Sequence, residues 1–172
     1  ERLSTLCLEH GIYIISDEIH NDLVFEGPHT VLANISTEMA ENCVICTAPS
    51  KSFNIAGIQA SNIIISNDQM REKFKAVIQK NHAYSPNSFV EAAVIGAYNY
   101  SEDWLDHAID YIKDNVEYFC VELSKLVPKI KALKPEGTYL VWMDCSELGM
   151  TPEKLNRFFV DKCKLALNSG RG

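Results

Sequence analysis

A lysine and an aspartate, each following a short apolar run, are the residues best suited to chemistry in this sequence. Lys51 comes shortly after the run at residues 43–47, and Asp17 directly follows the run at residues 12–16. An amine can condense with an aldehyde, and a carboxylate can hold a proton on a pyridine nitrogen. The pair therefore predicts a site for pyridoxal phosphate (PLP). By spacing alone, an exposed lysine and a turn or helix-capping aspartate explain the same residues.

Strands of one sheet must position these two side chains. Residues 12–16, 43–47 and 60–66 are short apolar runs, typical of strands that are covered on both faces. Ligands bind at the carboxyl ends of strands in open α/β sheets. We therefore expect the side chains of Asp17 and Lys51 at that edge of the sheet.

The rest of the chain alternates helical and extended patterns. Apolar spacing predicts helices over 68–80 and 89–100, the second with a capping box of Ser88 and Glu91. A long amphipathic helix follows over about 102–127 and ends before Pro128. Beyond it we expect a strand at 139–144, a helix capped by Thr151 that runs to about residue 163, and a strand at 165–167.

These elements predict an α/β fold in three parts. They are the second half of a large domain at 1–101, a connecting helix at 102–127 and the start of a small C-terminal α/β domain at 128–172. The first residues carry an apolar helical stripe with no Met or capping residue before it. We therefore expect this chain to be an internal segment of a larger protein.

Composition narrows the possible partners and metals. The net charge of −7 argues against nucleic-acid binding, and no apolar run is long enough for a membrane span. Cys43 and Cys46 have C-x-x-C spacing, but residues three apart on a strand point to opposite faces. Buried thiols in a reducing compartment are favoured over a metal site. Asp17, Glu18 and His20 would need further ligands to bind a metal.

Four blocks of sequence resemble one enzyme family. The block around Asp17 resembles the aspartate segment of fold-type I PLP enzymes, and the block around Lys51 resembles their lysine segment. More narrowly, the blocks resemble the class II aminotransferase branch that contains the cystathionine β-lyase-like C–S lyases. The resemblance implies part of a large domain with a mostly parallel sheet and helices, and part of the small α/β domain. The four blocks are residues 16–25, 47–59, 84–89 and 135–142.

The resemblance implies a role for each residue around the cofactor ring. Lys51 would be the catalytic residue, which binds the aldehyde of PLP and transfers protons. Asp17 would pair with the pyridine nitrogen, and His20 would hydrogen-bond the phenolic oxygen of the ring. Ile19 would pack on the ring face, provided that the strand continues past Asp17.

The resemblance also implies which groups hold the phosphate. Ser50 is the stronger candidate and Thr47 the weaker one. Gln59 stands where many relatives have a phosphate-binding arginine, and this departure favours the C–S lyase branch. The family's glycine-rich phosphate turn and ring-stacking aromatic would precede Glu1, and its carboxylate-binding arginine would follow residue 172. We therefore expect the isolated chain to bind PLP weakly and to have no turnover.

The function implied is that of a PLP enzyme of amino-acid metabolism. A C–S lyase that releases a thiol, pyruvate and ammonia is the first expectation, and an aminotransferase is the alternative. A regulatory domain that senses PLP, or an ordinary α/β domain, stays open as a further alternative. We expect an amino-acid substrate, a homodimer and a cytoplasmic location, with no nucleic-acid or membrane partner.

Overall fold

A computed structural model describes residues 1–83 and 85–170, and these divide into two units. One unit comprises Glu1–Lys113 together with Glu136–Thr138, and the other comprises Asp114–Pro135 and the chain from Tyr139 onward. The division falls within the long helix, and the three-part domain scheme remains a prediction. Among the described residues, no helix has the length and apolar character needed to cross a membrane.

The first unit contains three strands and most of the helices. Its helices are α1 (Arg2–Glu9), α2 (Thr37–Glu41), α3 (Pro49–Ser52), α4 (Asp68–Lys80), α5 (Val90–Tyr100) and the first half of α6 (Glu102–Leu126). Short 3₁₀ turns lie at Leu32–Asn34 and Ala56–Ile58, and the strands are β1 (Ile14–Asp17), β2 (Cys43–Thr47) and β3 (Asn62–Ile64).

The three strands form one sheet in the order β1-β2-β3. Strands β1 and β2 are parallel, with Ile14 opposite Cys43 and Asp17 opposite Cys46. Strand β3 is antiparallel to β2. The carboxyl ends of β1 and β2 therefore lie side by side, which confirms the predicted α/β arrangement in the part that carries Asp17 and Lys51.

A small apolar core packs against one face of this sheet. Met39, Cys43 and Ile45 are at most 3 % exposed and form its centre, and Leu8, Ile14, Leu32 and Ala33 pack around them. On the other face Ile15 is 74 % exposed and Ile63 is 36 % exposed. The prediction that these strands are covered on both faces is therefore wrong for the described residues, because α1 and α2 supply apolar partners to one face only.

The second unit is smaller and mixed. Its antiparallel strands β4 (Lys131–Leu133) and β5 (Trp142–Asp144) pair with Ala132 opposite Met143. A 3₁₀ turn at Ser146–Leu148 leads to helix α7 (Pro152–Arg157), which continues as a wider π-helical turn over Phe158–Cys163. As predicted, Thr151 caps α7, since its Oγ1 accepts a hydrogen bond from the Lys154 N–H at 3.4 Å.

Helix and strand boundaries show where local sequence signals fail. The predictions at 43–47 and 68–80 are confirmed, and the long helix ends one residue early. The capping box at Ser88 is wrong, because α5 begins after Phe89 and the Asn87 Oδ1 accepts the Phe89 N–H instead. The strand at 165–167 is also wrong. There Lys164 adopts a left-handed conformation, and the Leu165 N–H donates back to the Phe159 carbonyl.

Truncation of Met39 tests the single-sided core. Met39 is fully buried, so Met39→Ala should lower the free energy of unfolding by about 2–5 kcal/mol through lost burial and the cavity left behind. Met150 is 39 % exposed, and Met150→Ala should cost less than about 1 kcal/mol. Urea unfolding of both variants checks this, and equal losses would contradict the described core.

Candidate active site

Strand β1 ends at Asp17, and the chain turns immediately after it. The Glu18 N–H still donates to the Cys46 carbonyl at 2.8 Å, but the Asp17 Oδ1 then accepts the Ile19 N–H at 3.3 Å. Such an aspartate hydrogen bond to the backbone two residues on is typical of a turn. The strand does not continue to Ile19, so that basis for placing Ile19 on the same side as Asp17 is wrong. The exposed carboxylate of Asp17 stays at the strand end.

Residues 18–23 form two successive turns that carry His20. The Asn21 N–H donates to the Glu18 carbonyl at 3.0 Å, and the Leu23 N–H donates to the His20 carbonyl at the same distance. Leu23 is only 2 % exposed and fixes the end of the turns in the protein interior. The position of His20 is therefore set by backbone hydrogen bonds on both sides.

Glu18 is buried, and its carboxylate accepts several hydrogen bonds. Its Oε1 accepts hydrogen bonds from the Ser16 hydroxyl and the Leu32 N–H, both at 3.0 Å, and its Oε2 lies 3.0 Å from the His29 Nε2. Burial raises the pKa of the Glu18 carboxyl, but the hydrogen bonds from Leu32, His29 and Ser16 outweigh it and leave that pKa below its usual value. Glu18 is thus ionised, and its hydrogen bonds hold residues 18–32 against the end of β1.

Lys51 lies in the short helix that follows β2. After Thr47 the buried Ala48 and Pro49 turn the chain, and Pro49 begins α3, where its fixed φ suits a first helical residue. Lys51 is half-buried, and its side chain has no hydrogen bond or ion pair among the described residues. The backbone of Lys51 thus follows the carboxyl end of β2, which lies beside the end of β1 at Asp17, and the role of its side chain stays a prediction.

Ser52, next to Lys51, contacts the aspartate segment directly. Its hydroxyl donates to the Asp22 Oδ2 at 2.6 Å, and Ser52 is only 2 % exposed. The next residue, Phe53, packs edge-on against Tyr98 at 5.6 Å and stacks on Trp104 at 6.5 Å between ring centroids. Sequence reasoning missed Ser52 and Asp22, because they are separated along the chain and no local pattern joins them.

The remaining two family-like blocks also reach these segments. The Asn87 side chain donates to the Ile58 carbonyl at 2.7 Å, beside the exposed Gln59, which is left-handed at φ 57°. Tyr84, which opens that block, lies outside the described residues. Gly137 forms an isolated β-bridge with Val24, and the flanking backbone bonds are Phe25 N–H to Glu136 carbonyl at 2.9 Å and Thr138 N–H to Leu23 carbonyl at 2.7 Å.

An open cleft of about 390 Å³ lies between the aspartate turns and residues 136–138. Two of the predicted site residues, Asp17 and His20, line this cleft. The other four, Ile19, Thr47, Ser50 and Lys51, are not among its described lining residues. Thr47 instead accepts a hydrogen bond from the Asn62 amide at 3.4 Å. The sheet edge therefore presents a carboxylate in the cleft, with an amine and two hydroxyls on the neighbouring segment.

The two cysteines of the C-x-x-C pair lie at this edge beside acidic residues. Burial raises the pKa of the Cys43 and Cys46 thiols, and the charges of Glu18 and Asp17 respectively raise them further. Across residues 1–83 and 85–170, no group of three or more His, Cys, Asp or Glu side chains is placed to hold a metal ion. The C-x-x-C pair lies along β2, as the strand interpretation predicted.

The sequence of this chain matches a known family of enzymes. The family of class I and II aminotransferases matches residues 1–171, so the chain belongs to that family. Cystathionine β-lyase PatB from Bacillus subtilis (strain 168) is 43 % identical over 170 residues, and Protein MalY from Escherichia coli (strain K12) is 31 % identical over 172 residues.

A solved structure shows the same fold. Cystalysin from Treponema denticola, whose crystal structure contains pyridoxal 5′-phosphate, matches 97 % of this chain with a TM-score of 0.86 at 34 % identity. The chain is covered to 98 % by PatB and to 99 % by MalY, but it spans only 44 % and 43 % of their respective lengths. It spans 43 % of cystalysin. These shares agree with the expectation of a segment of a longer protein.

Replacing Glu18 tests whether its buried carboxylate stabilises the turns that follow Asp17. Because the folded pKa of Glu18 is lowered, its stabilising effect is present above its ordinary pKa of 4.5 and is lost as the pH falls through the folded value. Glu18→Gln should therefore cost about 1.5–3 kcal/mol of unfolding free energy at pH 7, and the difference from wild type should shrink below about pH 4.5.

Glu72 supplies the matched control for this titration. It is exposed and pairs with Lys75 on the surface of α4, so Glu72→Gln should change stability by less than about 1 kcal/mol. Urea unfolding across pH measures both variants. A pH-independent loss in Glu18→Gln would show that the charge of Glu18 is not what stabilises the turn region.

Gly137 tests the close approach of residues 136–138 to the aspartate segment. An added Cβ would clash with the Leu23 carbonyl oxygen and lie 3.2 Å from the Val24 Cα, and neither backbone atom can move away easily. Gly137→Ala should destabilise the protein by about 1–3 kcal/mol. Gly96 in α5 has nothing within 4 Å, so Gly96→Ala should be stabilising by up to about 1 kcal/mol. Thermal unfolding that ranks the two variants the other way would contradict this contact.

Proposed function

We propose that the intact protein is a PLP-dependent C–S lyase that acts on an amino acid with a sulfur at its β-carbon. The observation that carries this proposal is the adjacent placement of the carboxyl ends of β1 and β2, one ending in Asp17 and the other leading to Lys51. Family membership and the 43 % identity to a cystathionine β-lyase support the same chemistry.

The donor set of this edge fits PLP. Lys51 offers an amine with no other partner among the described residues, and Asp17 offers an exposed carboxylate for the pyridine nitrogen. Ser50 and Thr47 offer hydroxyls for the phosphate, and His20 would lie at the ring. The family resemblance would place Ile19 there too, although the strand does not continue to it. When bound, PLP supplies an electron sink for the bond that breaks at the substrate α-carbon.

Lys51 would perform the proton transfers of the reaction. Its Nζ takes the α-proton of the substrate, the bond between Cβ and sulfur breaks, and the electron pair leaves on sulfur, which gains a proton. The enamine left behind reacts with one water to give pyruvate and ammonia. Asp17 would keep the pyridine nitrogen protonated, because a nearby carboxylate favours the protonated form.

The choice between lyase and aminotransferase rests on His20 and Gln59 and on the relatives. Proteins named cystathionine β-lyase are 43 % and 34 % identical to this chain, whereas aspartate aminotransferases from Bacillus subtilis and Pyrococcus horikoshii are 25 % identical. Transamination is the second candidate, since Asp17 and Lys51 would serve it equally well. We further propose that the intact protein is a cytoplasmic homodimer.

Product analysis of the intact protein decides between these reactions. Supplied with PLP and cystathionine, a lyase should release thiol, pyruvate and ammonia in equal amounts with no 2-keto acid present. Turnover that depends on a 2-keto acid would identify an aminotransferase. A purified intact protein that takes up no PLP would overturn the proposed function altogether.

Replacement of Lys51 tests its role as the proton-transfer residue. Lys51→Ala should lower kcat by about 10²–10⁴-fold or more, because proton transfer by a positioned side chain contributes that much. Lys73 is an exposed lysine of α4, and Lys73→Ala should keep wild-type kcat. Steady-state kinetics on the intact protein measures both, and comparable activity of the two variants would exclude Lys51 from the chemistry.

A further inference from the structure

Lys51 lies between two attachments to the aspartate segment. Before Lys51, the main chain of β2 pairs with β1 up to Cys46, which is opposite Asp17. After Lys51, the Ser52 hydroxyl donates to Asp22 at 2.6 Å. Movement of the Lys51 backbone relative to Asp17 must therefore strain the strand pairing or break the Ser52–Asp22 hydrogen bond.

Helix α3 needs such an attachment, because it is only one turn long. It spans Pro49–Ser52, and its backbone is closed by the Phe53 N–H on the Pro49 carbonyl at 2.9 Å and the Ile55 N–H on the Ser50 carbonyl at 3.1 Å. A single turn is not stable by itself, since nucleation fixes several residues for one hydrogen bond. Its orientation must be set by contacts outside the helix.

The Ser52–Asp22 contact has the properties of a strong anchor. The distance of 2.6 Å is in the range of hydrogen bonds from a hydroxyl to a carboxylate, which are stronger than neutral ones. Asp22 lies between the turn hydrogen bonds at Asn21 and Leu23, so its backbone is held on both sides. Burial raises the pKa of the nearby Tyr98, and the negative charge of Asp22 raises it further.

We propose that Ser52 and Asp22 are positioning residues that fix Lys51 relative to Asp17 and so determine how completely Lys51 carries the cofactor. The proposal rests on the proposed function, since it gives this hydrogen bond a purpose in PLP binding. Neither residue touches the reacting atoms. A purely structural hydrogen bond would stabilise the fold and leave the occupancy of Lys51 unchanged.

The test uses the intact protein loaded with PLP and compares three variants. Ser52→Ala removes the donor, Ser52→Thr keeps a hydroxyl, and Ser36→Ala removes the side chain that caps α2 by accepting the Met39 N–H at 3.1 Å. Ser36→Ala is the matched control, because it also loses a serine hydrogen bond, and Ser36 caps a different helix. Borohydride reduction and mass spectrometry of the Lys51 peptide measure the fraction that carries cofactor, and equilibrium dialysis measures PLP affinity.

The expected outcome separates positioning from stability. Ser52→Ala should bind PLP about tenfold more weakly, which corresponds to about 1.4 kcal/mol, and should carry less cofactor on Lys51 at saturation. Its kcat should fall more than its KM changes. Ser52→Thr should restore occupancy, and Ser36→Ala should lower only the melting temperature.

Two results would count against different claims. If wild type carries PLP on Lys51 and Ser52→Ala does so equally well with equal affinity, the positioning role is overturned and the proposed function stands. If wild-type Lys51 carries no PLP, the proposed function itself fails. Asp22→Asn provides a second measurement if Ser52→Ala does not fold, and it should reduce occupancy because the charge that strengthens the bond is gone.

Discussion

The parallel pairing of β1 with β2 is the constraint on which the functional edge depends. The register places Ile14 opposite Cys43 and Asp17 opposite Cys46. Side chains alternate between the two faces of a strand, so a slip of one residue would turn Cys43 and Ile45 away from the core. The buried cluster around Met39 therefore fixes the register, and the register brings the end of β1 beside the segment that carries Lys51.

Two adjacent carboxylates at the end of β1 have different environments and therefore different roles. Asp17 is exposed at the sheet edge and is available to a ligand, whereas Glu18 is buried and accepts hydrogen bonds from Ser16, Leu32 and His29. The carboxylate of Glu18 stabilises the segment 18–32 through these hydrogen bonds, and His20 of that segment lines the cleft. Successive side chains of an extended chain point to opposite faces, so Asp17 faces solvent and Glu18 faces the interior.

Local patterns predicted the strands and helices that depend on nearby residues, and they failed where distant contacts decide. The run at 43–47 and the helix at 68–80 were predictable because their apolar spacing is a local property. The end of β1 at Asp17 was also predictable, but the direction of the chain beyond it was not, since the Asp17 side chain accepts the Ile19 N–H in a turn. The Ser52–Asp22 hydrogen bond could not be predicted from the sequence for a different reason. Its partners are 30 residues apart, and no local pattern pairs a serine with a distant aspartate. The roles of Lys51 and Asp17 rest on resemblance rather than on periodicity.

The spacing of these contacts along the chain has a consequence for how the protein folds. The β1–β2 pairing and the Ser52–Asp22 bond close loops of about 30 residues, whereas the bridge between Val24 and Gly137 closes a loop of about 110 residues. Closing the longer loop costs about 1 kcal/mol more chain entropy. The segments that carry Asp17 and Lys51 can therefore associate early during synthesis, and Gly137 pairs with Val24 only after the long helix α6 has emerged from the ribosome.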